Sequence, residues 1–299
     1  MKSRSPIGPP VVSSGLKRPK PKMPTRMPSS DLQPCPNSPI ANGDFEVDEL
    51  PDGAIFRLSR PAKLNAITKP ILAGLAALLD SLEARGARLL IITGTGNKAF
   101  CAGTDLAETA LSPKPERLEK SAMARALFVR LSRSNVLSVA ALNGLAFGGG
   151  LELAMACTLR IATEKVTVSL PEIKLGLLPA YGGTQFLPAL IGKSRALEMM
   201  LTGRVVNAPE AQAIGLIHRL VSGNALITDD ALNFAREVTQ FSQPAIDGIK
   251  RCVASADIEV TDAGLEVEDQ VVREVFTSAD AEEGVAAFLQ KRAPRFTHR

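Results

Sequence analysis

The chain has 299 residues, of which 45% are hydrophobic and 22% are charged, and its formal net charge is +4. These values are close to those of ordinary globular proteins, and they exclude a wholly disordered, a collagen-like or a disulfide-stapled chain. No run of apolar residues reaches the 18 that a membrane-spanning helix requires.

The first 44 residues differ in composition from the rest of the chain. Residues 1–40 contain ten prolines, seven basic residues and one acidic residue, so they carry a charge of +6 and the remaining residues carry −2. Such a segment cannot bury enough apolar area to offset the entropy of ordering it. We therefore predict a disordered, basic, Pro- and Ser-rich tail over residues 1–44. The charge leaves open binding to RNA or to an anionic membrane, but a solubilising tail is favoured, so neither partner is expected.

From residue 45 the pattern changes to strands that alternate with helices. Apolar residues at helical spacing follow Pro70 and continue to Leu82, and a glycine-rich turn at 144–150 opens a further helix. This alternation predicts parallel β-α units, followed by a mostly helical part after about residue 194. The predicted strands are 54–58, 88–93, 136–142, 159–162, 166–169 and 216–221, and the further helices are 149–157, 194–201, 209–213, 228–240, 244–255, 261–277 and 280–290.

The cysteines and histidines limit the chemistry that the chain can perform. Four scattered cysteines form neither a C-x-x-C motif nor a Cys/His cluster, which favours reduced thiols and no metal site. We expect a cytoplasmic protein, or a mitochondrial one if the source is eukaryotic. His218 and His298 are the only histidines, and no G-x-S-x-G motif is present, so we expect carboxylates to move protons.

Three segments carry candidate chemistry. Gly148, Gly149 and Gly150 precede an apolar helix whose first amides lack intrahelical partners and therefore attract negative charge, with Glu152 in its first turn. A tight turn with a dipole-matched glutamate fits that segment equally well. The segment around Ala102 offers a second exposed amide, and Pro171 restricts the backbone before Glu172, although each of these signals is weak by itself.

Taken together, segments 98–106, 143–153 and 170–184 resemble the enoyl-CoA hydratase/isomerase (crotonase) superfamily, and the resemblance extends from about residue 45 to the C-terminus. It implies an α/β, crotonase-like spiral of β-β-α units over residues 45–240. It also implies a C-terminal helical region, residues 241–299, that builds a homotrimer or a dimer of trimers.

The resemblance further implies binding of an acyl-CoA thioester whose acyl oxygen lies between the amides of Ala102 and Gly149. Glu152 and Glu172 would hold one water, with Glu152 as the base and Glu172 as the proton donor to Cα. The implied function is an enoyl-CoA hydratase; the alternatives are an enoyl-CoA isomerase or other acyl-CoA lyase, and a binding protein that has lost catalysis. No metal is expected, and no cofactor beyond the coenzyme A of the substrate.

The remaining implied substrate contacts flank the acyl group and the coenzyme. Tyr181 lies near the implied acyl pocket, where it would narrow the pocket or hydrogen-bond a substituted acyl group, which favours short, crotonyl-type substrates. A structural role is the alternative for Asp105. The implied substrate-binding residues are Lys63, Leu64, Ala66, Ala102, Gly103, Thr104, Asp105, Gly149 and Tyr181.

Overall fold

A computed structural model describes residues 43–222, 226–255 and 262–299 of the chain. The strands of these residues form two sheets. In chain order they are β1 (Phe45–Leu50), β2 (Gly53–Leu58), β3 (Leu89–Gly94), β4 (Ala99–Cys101), β5 (Leu137–Leu142), β6 (Leu145–Phe147), β7 (Leu159–Thr163), β8 (Thr167–Ser169), β9 (Val206–Asn207) and β10 (Arg219–Val221).

The helices lie between these strands and dominate the C-terminal part. They are α1 (Lys69–Ala84), α2 (Leu106–Leu111), α3 (Lys114–Arg133), α4 (Gly149–Ala156), α5 (Gly183–Ile191), α6 (Lys193–Thr202), α7 (Ala208–Ala213), α8 (Ile227–Thr239), α9 (Gln243–Ser255), α10 (Asp262–Phe276) and α11 (Ala279–Leu289).

A repeated β-β-α unit builds both sheets. The first strand of each unit joins a six-stranded sheet of order β1-β2-β3-β5-β7-β10, and the second joins a four-stranded sheet of order β4-β6-β8-β9. Within each sheet the strands contributed by these units run parallel. The predicted α/β fold of β-β-α units is therefore confirmed.

The apolar residues of strand β3 show that helices pack on both faces of the first sheet. Its residues Leu89 to Ile92 form a continuous apolar run, which is typical of a strand buried between two layers. Because side chains alternate along a strand, Leu90 and Ile92 pack with α1 and α3 on one face. Leu89 and Ile91 pack with α8 on the other.

Helix α1 forms where the sequence predicts it. Thr68 caps it, because its Oγ1 accepts a hydrogen bond from Ile71 N at 3.4 Å, and Pro70 occupies the first turn. The leucines that follow at helical spacing are buried, so this helix closes one face of the first sheet.

Helix α3 is absent from the predicted elements, although it is the longest helix of the described residues. Ala124, Leu127, Phe128 and Leu131 are buried, and their spacing is that of one helical face. That spacing is the signal by which the sequence could have predicted the helix.

Three predicted boundaries need correction. The turn predicted over 144–150 contains strand β6, Leu145–Phe147, and α4 begins within it at Gly149. The strand predicted over 216–221 begins at Arg219, because Leu216 O accepts a hydrogen bond from a buried arginine side chain instead of joining the sheet. The predicted tail, 1–44, lies outside the described residues except for its last two. Of these, Asp44 forms an ion pair with Arg60 at 3.2 Å and so belongs to the folded part.

None of the helices in the described ranges combines the length and the apolarity that crossing a membrane demands.

Candidate active site

Parallel pairing brings the three predicted segments together. β4, β6 and β8 are neighbours in the second sheet and run in the same direction. The carboxyl ends of parallel strands meet at one edge of a sheet, where ligands commonly bind. Residues 102–105, 148–152 and 170–172 follow those ends directly, so they converge although they are far apart in the chain.

The amide offered after β4 belongs to Thr104 rather than to Ala102. Ala102 N already donates to Leu64 O at 3.0 Å, so the expectation of a free N–H at Ala102 is wrong. Ile67 N donates a hydrogen bond to Gly103 O, and Asp105 N donates one to Ile67 O. Because successive main-chain groups point in opposite directions, the N–H of Thr104 between them points away from Ile67. The positive φ of Gly103, 99°, breaks the strand alternation and produces this change of direction.

The second amide is that of Gly149, the first residue of α4. Its N–H has no intrahelical acceptor because it lies in the first turn. Neither this N–H nor that of Thr104 has a hydrogen-bond acceptor within the described part of the chain. A Cβ built on Gly103 would lie 3.2 Å from Gly149 N, so the two segments are in contact. Together the two amides can receive an oxygen that carries negative charge.

Glu152 is a buried carboxylate beside these amides, with 1% of its surface exposed. Its Oε1 accepts hydrogen bonds from Tyr181 N at 2.8 Å and from Gly183 N at 2.7 Å. The pKa of Glu152 is raised to about 7, chiefly by burial and also by the nearby Glu172, and the two N–H bonds limit the rise. The side chain is therefore able to take and release a proton near neutral pH.

Glu172 approaches the same place from the carboxyl end of β8. It begins a short 3₁₀ turn directly after Pro171, and a Cβ built on Gly148 would lie 2.9 Å from its Oε1. Its Oε2 is buried and has no hydrogen-bond partner among the described residues. Burial also raises the pKa of Glu172. This carboxyl group therefore has one oxygen available to a ligand or to water.

Tyr181 adds a third group to the site. Its hydroxyl donates to Thr104 Oγ1 at 3.0 Å, and a Cβ built on Gly149 would lie 2.8 Å from its Cε2. Its ring meets Phe128 edge-on, with the centroids 5.9 Å apart. The side chain predicted to border the acyl pocket therefore contacts both segments that carry the free amides.

The other predicted substrate contacts lie in the loop between β2 and α1 and after β4. Lys63 and Leu64 are exposed, whereas the side chain of Ala66 is buried. Asp105 pairs with Arg60 at 3.0 Å, and its Oδ1 accepts a hydrogen bond from Glu108 N at 3.2 Å. These bonds join Asp105 to the folded framework, which favours the structural role over the implied contact with substrate.

Helix α3 contributes residues that sequence reasoning missed. Lys120 is buried, and its Nζ donates to Ile67 O at 3.0 Å and to Glu108 at 3.1 Å. Ser121 Oγ donates to Ala180 O at 3.3 Å, which ties α3 to the loop that carries Tyr181. No three His, Cys, Asp or Glu side chains of the described ranges lie together as metal ligands would.

The family model for enoyl-CoA hydratase/isomerase matches residues 54–299, and the chain belongs to this family, the crotonase family. A curated relative from Syntrophomonas wolfei, named crotonyl-CoA hydratase, is 34% identical over 245 residues, which cover 81% of this chain and 94% of that protein. A Mycobacterium tuberculosis protein named "Probable enoyl-CoA hydratase echA8" is 39% identical over 248 residues, which cover 82% of this chain and 94% of that protein.

Solved structures agree with this membership. The crystal structure of an enoyl-CoA hydratase from Bacillus anthracis superimposes with a TM-score of 0.80 at 33% identity, covering 86% of this chain and 100% of that one. A structure of DspI from Pseudomonas aeruginosa gives a TM-score of 0.79 at 33% identity, covering 90% and 99% of the two chains.

Proposed function

We propose that this chain is an enoyl-CoA hydratase, which adds water across the 2,3 double bond of an enoyl-CoA thioester. The observation that carries the proposal is the arrangement of two free main-chain N–H groups beside one buried and one partly buried carboxyl group. The N–H groups are those of Thr104 and Gly149, and the carboxyl groups are those of Glu152 and Glu172. The names of the relatives, enoyl-CoA hydratase and crotonyl-CoA hydratase, support the same reaction.

The amide pair stabilises the charge that the reaction creates. Attack of water on Cβ moves electrons onto the thioester oxygen and forms an enolate-like state. Two fixed N–H donors stabilise that state more strongly than the neutral thioester, which lowers the barrier. In this proposal the donors are Thr104 and Gly149, so Thr104 replaces Ala102 in the role that the sequence suggested.

The two carboxyl groups carry out the two proton transfers of the reaction. In the reactive form of the pair Glu152 is ionised and Glu172 is protonated, and both hold one water beside Cβ. As the water oxygen bonds to Cβ, Glu152 takes its proton and Glu172 gives a proton to Cα, which yields the 3-hydroxyacyl thioester. A proton returned from Glu152 to Glu172 restores the starting state. The coenzyme A remains part of the substrate throughout, so the reaction consumes no cofactor.

Replacing Glu152 tests the proposal. Glu152→Gln keeps the size of the side chain but removes the base, so we expect kcat for crotonyl-CoA hydration to fall on the order of 10²–10⁴-fold. Absorbance of the conjugated thioester follows the reaction. Glu116→Gln, at an exposed position of α3, is the matched control and should retain wild-type activity. Full activity in Glu152→Gln would overturn the assignment of the base.

A substrate panel separates the alternatives. An isomerase would shift the double bond of a 3-enoyl-CoA without adding water to crotonyl-CoA. A binding protein without catalysis would be stabilised against heat by CoA esters and would turn over neither. Either result would replace the hydratase proposal.

We also propose that residues 241–299 assemble the chain into a homotrimer or a dimer of trimers. Apolar side chains of α9, α10 and α11 are exposed in the single chain, and exposed apolar side chains that group into a large patch mark interaction surfaces. Further copies of the chain would cover them. The exposed side chains are Ile249, Val253, Leu265, Phe276, Val285, Phe288 and Leu289.

A cytoplasmic or mitochondrial location stays a prediction, which fractionation of the source cells would test.

A further inference from the structure

The side chain of Tyr181 crosses the site next to the free amides. Only 7% of the residue is exposed, and its own backbone N–H donates to Glu152 Oε1 at 2.8 Å. Its ring is so close to Gly149 that a Cβ there would contact Cε2 at 2.8 Å. One residue therefore touches both the helix that supplies an amide and the carboxylate that we propose as the base.

Two contacts hold the ring in place. At its polar end the hydroxyl donates to Thr104 Oγ1 at 3.0 Å. Behind it lies Phe128, which is fully buried and meets the ring at an interplanar angle of 81°. A change of the side-chain torsion about Cα–Cβ would break the hydrogen bond and lose the aromatic contact, so the ring forms a fixed wall.

The position of this wall determines which acyl chains fit, and this step rests on the proposed function. With the thioester oxygen on the amides of Thr104 and Gly149 and Cβ beside Glu152, the chain beyond Cβ continues past the Glu152 carboxylate. The residues that donate to that carboxylate are Tyr181 and Gly183, and only Tyr181 has a side chain there. Its ring occupies space that a longer acyl chain needs.

We infer that Tyr181 is the specificity-determining residue that restricts the site to short enoyl groups such as crotonyl. Removal of the ring leaves a hollow bounded by Phe128, Gly149 and Ile67, whose Cδ1 lies 3.6 Å from the Cβ position of Gly149. Longer acyl chains would enter that hollow.

The test compares kcat/KM for crotonyl-CoA, 2-hexenoyl-CoA and 2-decenoyl-CoA in the wild type and in two variants. In Tyr181→Ala the ratio of 2-decenoyl to crotonyl should rise on the order of 10²-fold, because several methylenes gain space. In Tyr181→Phe the ring remains, so the ratio should stay within about twofold of the wild type. Phe241→Ala removes an exposed aromatic side chain elsewhere and should leave the ratio unchanged.

Direct binding keeps the inference testable if Tyr181→Ala does not fold or if the wild type hydrates nothing. Calorimetry of the wild type with butyryl-CoA and decanoyl-CoA should show that the longer ester gains no affinity. An unchanged ratio in folded Tyr181→Ala, or decanoyl-CoA bound tenfold more tightly than butyryl-CoA by the wild type, would overturn the inference. Absence of hydration with every enoyl-CoA would overturn the proposed function alone.

Discussion

Glu152 combines near-complete burial with main-chain hydrogen bonds to a single carboxylate oxygen. The N–H groups of Tyr181, in the loop before α5, and of Gly183, the first residue of α5, fix Oε1, while burial and the neighbouring Glu172 disfavour the charge. A carboxylate in water at neutral pH is too weak a base to deprotonate a nucleophile effectively. The raised pKa moves this group towards the range in which base catalysis is efficient.

The pH dependence of the hydration rate should reveal the ionisation of Glu152. Because the base must be ionised, kcat/KM for hydration should rise with pH and level off above about 7, the pKa of Glu152. Glu172 must be protonated, so activity should fall again at higher pH, and the two limbs belong to the coupled pair. Stopped-flow assays between pH 5 and 10 measure both limbs. A flat profile across pH 5–8 would contradict the role of Glu152.

Stability should change with pH in the opposite direction. The folded state binds the proton of Glu152 more tightly than the unfolded chain does, since the pKa rises from 4.5 to about 7. This contribution is complete below pH 4.5 and is lost as the pH rises through 7, by on the order of 3 kcal/mol. Between pH 5 and pH 8, the free energy of unfolding measured in urea should therefore fall less in Glu152→Gln than in the wild type. An equal fall in the two proteins would show that ionisation of Glu152 does not destabilise the fold.

Helix α4 presents its first amides to the site, and close contact with β4 holds it there. A Cβ built on Gly150 would lie 2.2 Å from Cys101 O, a backbone atom that cannot move without displacing the strand. Gly150→Ala should therefore destabilise the fold by about 2–4 kcal/mol through displacement of α4. Equilibrium unfolding in urea measures the change.

Gly284→Ala is the matched control for that substitution. Gly284 lies in α11, and a Cβ there would meet only Phe296 at an ordinary contact distance of 3.5 Å. Alanine should leave stability unchanged or raise it by up to about 1 kcal/mol, because it reduces the freedom of the unfolded chain. Similar losses in both variants would mean that the α4–β4 contact is not the cause.

The other end of α4 depends on a buried arginine. Arg160 donates through Nη1 to Ala154 O at 3.4 Å, to Met155 O at 3.3 Å and to Cys157 O at 2.7 Å, and through Nε to Leu216 O at 2.9 Å. Met155 O and Cys157 O lie at the C-terminus of the helix, where intrahelical donors are lacking, whereas Ala154 O also accepts a hydrogen bond from Cys157 N at 3.2 Å. The positive side chain also complements the negative end of the helix dipole.

Arg160→Met should destabilise the protein by about 3 kcal/mol or more, because it leaves several buried carbonyls without donors. Urea unfolding monitored by circular dichroism gives the value. Arg236→Met removes an exposed arginine that pairs with Asp52 at 3.4 Å, and its cost should stay below about 1 kcal/mol. Equal losses of unfolding free energy in the two variants would show that water donates hydrogen bonds to these carbonyls once the side chain of Arg160 is removed.

At the scale of the whole molecule, the exposed apolar surface of α9 to α11 is the main feature that the single chain leaves unexplained. Light scattering after size exclusion should give three or six times the chain mass of 31.7 kDa. Charged substitutions at Phe276 and Phe288, both more than 70% exposed, should reduce that mass. A single-chain mass at micromolar concentration would contradict the proposed assembly.

Local pattern by itself determined much of this protein. The apolar run of β3, the helical spacing of α1 and the glycines before α4 predicted the alternating fold, because these signals depend on neighbouring residues. Glu152 and Glu172 were weak candidates by themselves, and their catalytic roles were implied only by the family resemblance of the three segments taken together. Helix α3 was missed even though its buried face has regular spacing, so the contacts of Lys120 and Phe128 with the site were missed as well.

Only the tertiary structure decided which groups are free to act. Ala102 and Thr104 look equally exposed in the sequence, but Leu64 O occupies the amide of the first and leaves that of the second. The hydroxyl of Tyr181 finds its partner 77 residues away, in Thr104. Hydrogen-bond partners and the burial that raises the pKa of Glu152 come from residues distant in the chain, and a local pattern carries no information about them.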